Sequence, residues 1–264
     1  MTKGFASSLF LSLTLCFVPA FFLSAQEIES GDYLSKVSSL TNKVRAYDLR
    51  AQSMEELVQT YPNKAFPLLL SLLKDPEEET ALRYLAAQKL TEINLERAAG
   101  ALREILNDRS SGDPLARRMA LAELAATRPG DMRQLIRNFL EDRSEDAAIR
   151  QYALGLYGNS DEKDKIQKLR GWVQSKEETL AMRTNALFLL ESLGDLDFVR
   201  SSVHGFLSDR KEPEDLRKNC VVIAERINDR DSIPLLARIA KDSSESSVLR
   251  QLATSTLGRM GDKI

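Results

Sequence analysis

Two apolar stripes alternate along this chain, each returning every 33 or 34 residues. The second of each pair is headed by an arginine: Arg50, Arg83, Arg117, Arg150, Arg183, Arg217 and Arg250. Counting from that arginine, position +3 holds Ala86, Ala120, Ala153, Ala186, Cys220 and Ala253, and position +7 holds Leu90, Leu124, Tyr157, Leu190, Ala224 and Leu257. Position −1 is Leu82, Ala116, Ile149, Met182, Leu216 and Leu249. Apolar spacing of −1, +3, +4 and +7 lays one stripe on a helix, termed helix B. The small +3 column predicts a close neighbour there, the partner helix of the same repeat. Upstream, position −11 holds Leu72, Leu106, Phe139, Trp172, Phe206 and Ile239, and position −14 holds Leu69, Ile136, Leu169, Val203 and Leu236, with Arg103 as the exception. This is helix A. A fixed period of this length predicts stacked helix pairs instead of one globular core.

Punctuation keeps the same register. Asp75, Asp108, Asp142, Asp209 and Asp242, with Ser175 in the odd copy, fall between helices A and B, where they read as N-caps of helix B. Pro67 and Pro234 share position −16, suited to the first turn of helix A, while Pro62 and Pro129 share the turn after helix B. Gly158, Gly194 and Gly258 mark the end of helix B. Residues 26–60 fit poorly, with Ser39 and Ser53 at columns that are apolar elsewhere, and read as a degenerate capping repeat before a regular stack over 61–264. Thr254, Ser255 and Thr256 make the last helix B equally polar.

The first 25 residues carry one charge, Lys3, before an apolar run that gives way to Gln26-Glu27 after Ser24-Ala25. That layout reads as a secretory signal peptide cut after Ala25. A lipid anchor at Cys16 or an uncleaved anchor helix are the alternatives. Export removes Lys3 and leaves 36 basic against 39 acidic residues, a net of −3. Such a balance argues against a polyanion binder, so nucleic acid is not an expected partner. No later segment reads as a membrane span. Cys16 would leave with the signal peptide, so the mature chain keeps Cys220 alone and cannot form an internal disulfide.

The phrase Arg-x-x-Ala-x-x-x-Leu, the Gly194-Asp195 and Gly261-Asp262 turns and Lys74-Asp75-Pro76 resemble the HEAT-like repeat of phycobilisome lyases. The resemblance covers 60–264 well and 31–60 loosely. It implies an all-α, right-handed α-solenoid of antiparallel helix pairs, with helix B lining the concave side. It also implies a ladder between repeats, in which Arg83, Arg117, Arg150, Arg183, Arg217 and Arg250 pair with loop Asp75, Asp142, Asp209 and Asp242. The tetratricopeptide repeat is the rival at this period, but its signature positions are not filled in register.

Candidate chemistry is sparse. His204 is the single histidine, and with no Cys pair beside it a His/Cys metal site is not expected. The repeated His-Glu pairs through which deoxyhypusine hydroxylases, a HEAT-repeat enzyme family, bind iron are missing. Trp172 shares a column with Leu, Phe and Ile and reads as a core plug. No phosphate loop, nucleophile elbow or paired-carboxylate motif appears. The chain is therefore expected to be a monomeric, non-catalytic scaffold without cofactor or metal, binding a protein or peptide partner in the periplasm or outside the cell. The expected surface is the concave face of helix B, opposite the core: Thr184, Phe188, Lys218, Val222, Arg226 and Arg259. Its apolar centre and basic surround suit an acidic partner. A lyase-like, chromophore- or cofactor-handling role is the alternative.

Overall fold

The computed structural model describes residues 20–109 and 113–261, with side chains from residue 31 onward. Most of the expected signal peptide lies outside the described residues. Those described form fourteen α-helices and no strand. In chain order they begin with α1 (Ala20–Thr41), α2 (Tyr47–Thr60), α3 (Pro62–Lys74), α4 (Thr80–Ile93), α5 (Leu95–Asn107) and α6 (Pro114–Thr127). Next come α7 (Pro129–Glu141) with α8 (Ala147–Gly158), α9 (Lys165–Gln174) with α10 (Leu180–Ser192), and α11 (Leu196–Ser208) with α12 (Glu214–Arg226). A short 3₁₀ turn, Arg230–Ser232, precedes α13 (Ile233–Lys241) and α14 (Ser247–Gly261). Odd-numbered helices are A helices, and every even-numbered helix carries a column arginine. The fold is all-α, built of antiparallel helix pairs.

Two compact bodies divide the chain, 1–101 and 102–264. In the first, α1 packs on α2, α3 on α4, and α2 on both α3 and α4. In the second, α6, α8, α10, α12 and α14 pack side by side in series, and α7, α9, α11 and α13 each pack against the B helix that follows. The stripes explain this. The −1, +3 and +7 columns of the inner repeats are buried, from Leu82, Ala86 and Leu90 through Leu216, Cys220 and Ala224. The +4 column, Met54, Ala87, Leu121, Leu154, Leu187 and Val221, is buried as well. In the first repeat the two anomalous serines answer each other, with Ser53 Oγ 2.7 Å from Ser39 Oγ. A polar pair thus replaces an apolar one without leaving a hydroxyl unmet.

The interhelix aspartates do not cap helix B. Asp75, Asp142, Asp209 and Asp242 end helix A, and each accepts the backbone N–H two residues on, at 2.9–3.0 Å, as an Asx turn. The caps of helix B come four residues later: Asp146 accepts from Ala148 and Ile149, Thr179 from Met182 and Ser246 from Leu249. The intervening loop consumes a full turn, which spacing alone hid. Pro67 lies inside α3, and Pro62 and Pro129 open α3 and α7.

Candidate functional site

The arginine column is buried: Arg50, Arg83, Arg117, Arg150, Arg183 and Arg217 are all at most 4 % exposed. Each donates to a carbonyl near the end of its own A helix: Leu40, Leu73, Leu106, Leu140, Val173 and Leu207. Such carbonyls have no partner within the helix, so the guanidinium supplies the C-terminal cap. In Arg50, Arg117, Arg150, Arg183 and Arg217 the same side chain reaches forward to the next repeat. Its acid there is a glutamate five residues before the next arginine, not the expected aspartate. Arg50 pairs with Glu78, Arg117 with Glu145, Arg150 with Glu178, Arg183 with Glu212 and Arg217 with Glu245. Arg117, Arg183 and Arg217 bind both carboxylate oxygens, at 2.7–3.0 Å. The loop geometry explains the correction. The aspartate is spent on its Asx turn at the rim, and the glutamate is the residue whose side chain enters the junction.

Burial alone would raise the carboxyl of Glu145, but the bonds from Arg117 and the Asp146 N–H outweigh it and hold the group below the usual glutamate range. The aspartates join a second, outer ladder with basic loop residues of the preceding repeat: Lys43 with Asp75, Arg109 with Asp142, Lys176 with Asp209 and Arg210 with Asp242. The Ser144 hydroxyl, the Arg109 pair and the Ser144 N–H hold Asp142 at about 2. Both acid columns are legible in the sequence once the loops are aligned on Asp-x-x-Glu.

A third series ties helix A to the turn before the next A helix. Arg137 meets Glu162 and Arg170 meets Asp195, and Arg103 meets Asp131 in the first turn of α7 itself. His204 occupies the register of Arg137 and Arg170, with Nε2 2.7 Å from Asp229 Oδ2. Ser232 Oγ bonds the same oxygen at 2.5 Å. This is not a nucleophile–base–orienter chain. The carboxylate sits between the other two groups, and the serine hydroxyl is spent on it. Trp172, read as a core plug, is half-buried and packs edge-on against Tyr157, with ring centroids 5.6 Å apart.

The expected partner surface is only partly assembled. Phe188 on α10 and Arg226 on α12 come together, with the guanidinium 5.5 Å from the ring centroid, and Val222 is 38 % exposed. Thr184 is buried at 8 %, with its hydroxyl unbonded, and offers a partner little. The basic surround is not free. Arg226 binds Glu191, Arg259 binds Glu225 and Lys218 binds Asp215. The face is charge-balanced, so the acidic character expected of its partner is withdrawn. A recess of about 270 Å³ opens between α6, α7 and α8, walled by Met132, Ile136 and Tyr157 and rimmed by the Arg133–Asp161 pair. Among the described residues no group of three or more His, Cys, Asp and Glu side chains is placed to hold a metal ion. No described helix is long and apolar enough to cross a membrane.

No protein-family model matches the chain, and no curated protein matches it in sequence. Among solved structures it is similar to human deoxyhypusine hydroxylase in complex with glycerol, at 15 % identity over 89 % of this chain and 87 % of that one, with a TM-score of 0.36. The expectation that the chain is not an enzyme is corrected by this likeness, because the similar structure is an enzyme's. At that score the likeness assigns no activity. The arginine-headed helix pairs fit a HEAT-like repeat fold.

Proposed function

We propose that the chain is an exported repeat scaffold, of the type first described in phycobilisome lyases, whose B-helix surface binds a partner protein or peptide. The single observation that carries the reading is the Phe188–Val222–Arg226 face. An aromatic ring with a guanidinium 5.5 Å from its centroid stands beside an exposed valine on the neighbouring helix, within a charge-balanced surround. Aromatic residues and arginine are the side chains that most often anchor protein interfaces. Pairing of the basic residues removes the strong field that would favour nucleic acid or a polyacidic partner. The polar break after Ala25 supports export, and helix-pair stacks commonly serve as extended binding surfaces.

The test is affinity capture from a cell-envelope fraction with wild type and Phe188→Glu. Proteins retained by the wild type and lost with the variant, at unchanged melting temperature, support the reading. Identical capture by both removes this face from the function.

A further inference from the structure

One arginine of the column stands apart. Arg250, on α14, lacks both bonds that its counterparts make: among the described residues no carbonyl of α13 and no carboxylate bonds its side chain, while its Nε, like those of Arg150 and Arg217, is buried without a partner. It lines an open recess of about 430 Å³ together with Ser247, Gln251, Thr254 and Ser255. Only the Nε is buried and the residue is half-exposed, so its two Nη groups are open to bidentate binding by a carboxylate. Five other copies of the same residue in this chain hold a glutamate in this register.

We propose that the outer face of α14 is a docking site for an acidic peptide segment of another protein, whose glutamate takes in Arg250 the place that Glu245 takes in Arg217. The chemistry of the face separates this occupant from its rivals. A further stacked repeat would need an apolar residue at +4, and every earlier copy has one buried there. Here that position is Thr254, exposed and polar. A second copy of this chain, stacking by its first repeat, would present Arg45 at the register of the glutamate, like charge against like. Residues 1–19 and 110–112 contain no carboxylate side chain. Asp262 follows Gly261, and eleven residues of helix put Gly261 about 16 Å from Arg250. The polar rim of Ser247, Gln251 and Ser255 suits hydrogen bonds to an extended backbone. This site is separate from the Phe188 face and does not depend on it.

The experiment titrates the full chain, isotope-labelled, with a synthetic peptide copying residues 240–249, which carries Glu245, and with the same peptide bearing Gln in place of Glu245. Binding at a Kd near 1 mM, with amide shifts confined to Ser247–Ser255, is expected, weakened about tenfold by the Gln peptide and about tenfold by Arg250→Gln. Arg250→Gln should melt like the wild type, because it removes no bond, whereas Arg217→Gln should melt earlier. No shift at 5 mM peptide (about five times the expected Kd), binding indifferent to either substitution, or an early melt of Arg250→Gln overturns the proposal.

Discussion

Replacing Arg117 by alanine tests the ladder most directly. The side chain is 3 % exposed and makes three bonds: Nε to the Leu106 carbonyl at 2.8 Å, and Nη1 and Nη2 to the two oxygens of Glu145 at 2.7 and 2.9 Å. Removing one partner of a buried pair costs about 3–5 kcal/mol, because the other charge stays behind uncompensated. Here Glu145 keeps Arg109 at 3.0 Å and the Asp146 N–H at 2.8 Å, which pulls the cost toward the lower end. The unbonded Leu106 carbonyl adds about 1 kcal/mol. The expected total is about 4 kcal/mol for Arg117→Ala. The double variant Arg117→Leu/Glu145→Leu should be more stable than Arg117→Ala, since no buried charge is left alone. Urea denaturation followed by circular dichroism gives the total. Native-state hydrogen exchange should localise the loss to α6, α7 and α8, because stacked repeats unfold locally. A cost below about 1 kcal/mol, or a double variant as unstable as the sum of its singles, would refute the ladder as the joint between these repeats.

Acid should loosen the same joints. The carboxyls of Glu78, Glu145 and Glu245 are held below their usual values, so their contribution is present above the unfolded glutamate pKa and lost as pH falls through the folded one. Melting temperature should drop below about pH 4.3, and less so in a Glu145→Gln variant; a flat profile down to pH 3 would contradict this. Gly158→Ala should destabilise by about 1 kcal/mol, because a Cβ there meets Leu189 Cδ2 at 2.8 Å and Cδ1 at 2.9 Å; Leu189→Ala should abolish the penalty in a thermal double-mutant cycle. Burial pushes the Cys220 thiol up to about 12, so a thiol reagent at pH 8 should label it only as fast as the protein unfolds; rapid labelling of native protein would contradict the buried placement.

Much of this architecture was readable as columns. The −1, +3 and +7 positions needed only helical periodicity and a 33-residue period, because burying one stripe against a neighbour forces the same residue sizes at every turn of the stack. That register also singled out the arginines. It could not say which acid each one meets. Asp75 and Glu78 lie three residues apart in the same loop, and only the loop path sends one to a rim Asx turn and the other into the junction. Charge balance on the Phe188 face was hidden for a similar reason. Glu191 precedes Arg226 by one repeat, so a composition reading sees a basic patch where packing of α10 on α12 makes an ion pair. Sequence by itself determined the repeat, its helices and its core, which follow from local periodicity. Tertiary structure decided the partners of the column arginines, because those ion pairs form between repeats some 28 residues apart, where spacing along the chain carries no information about direction.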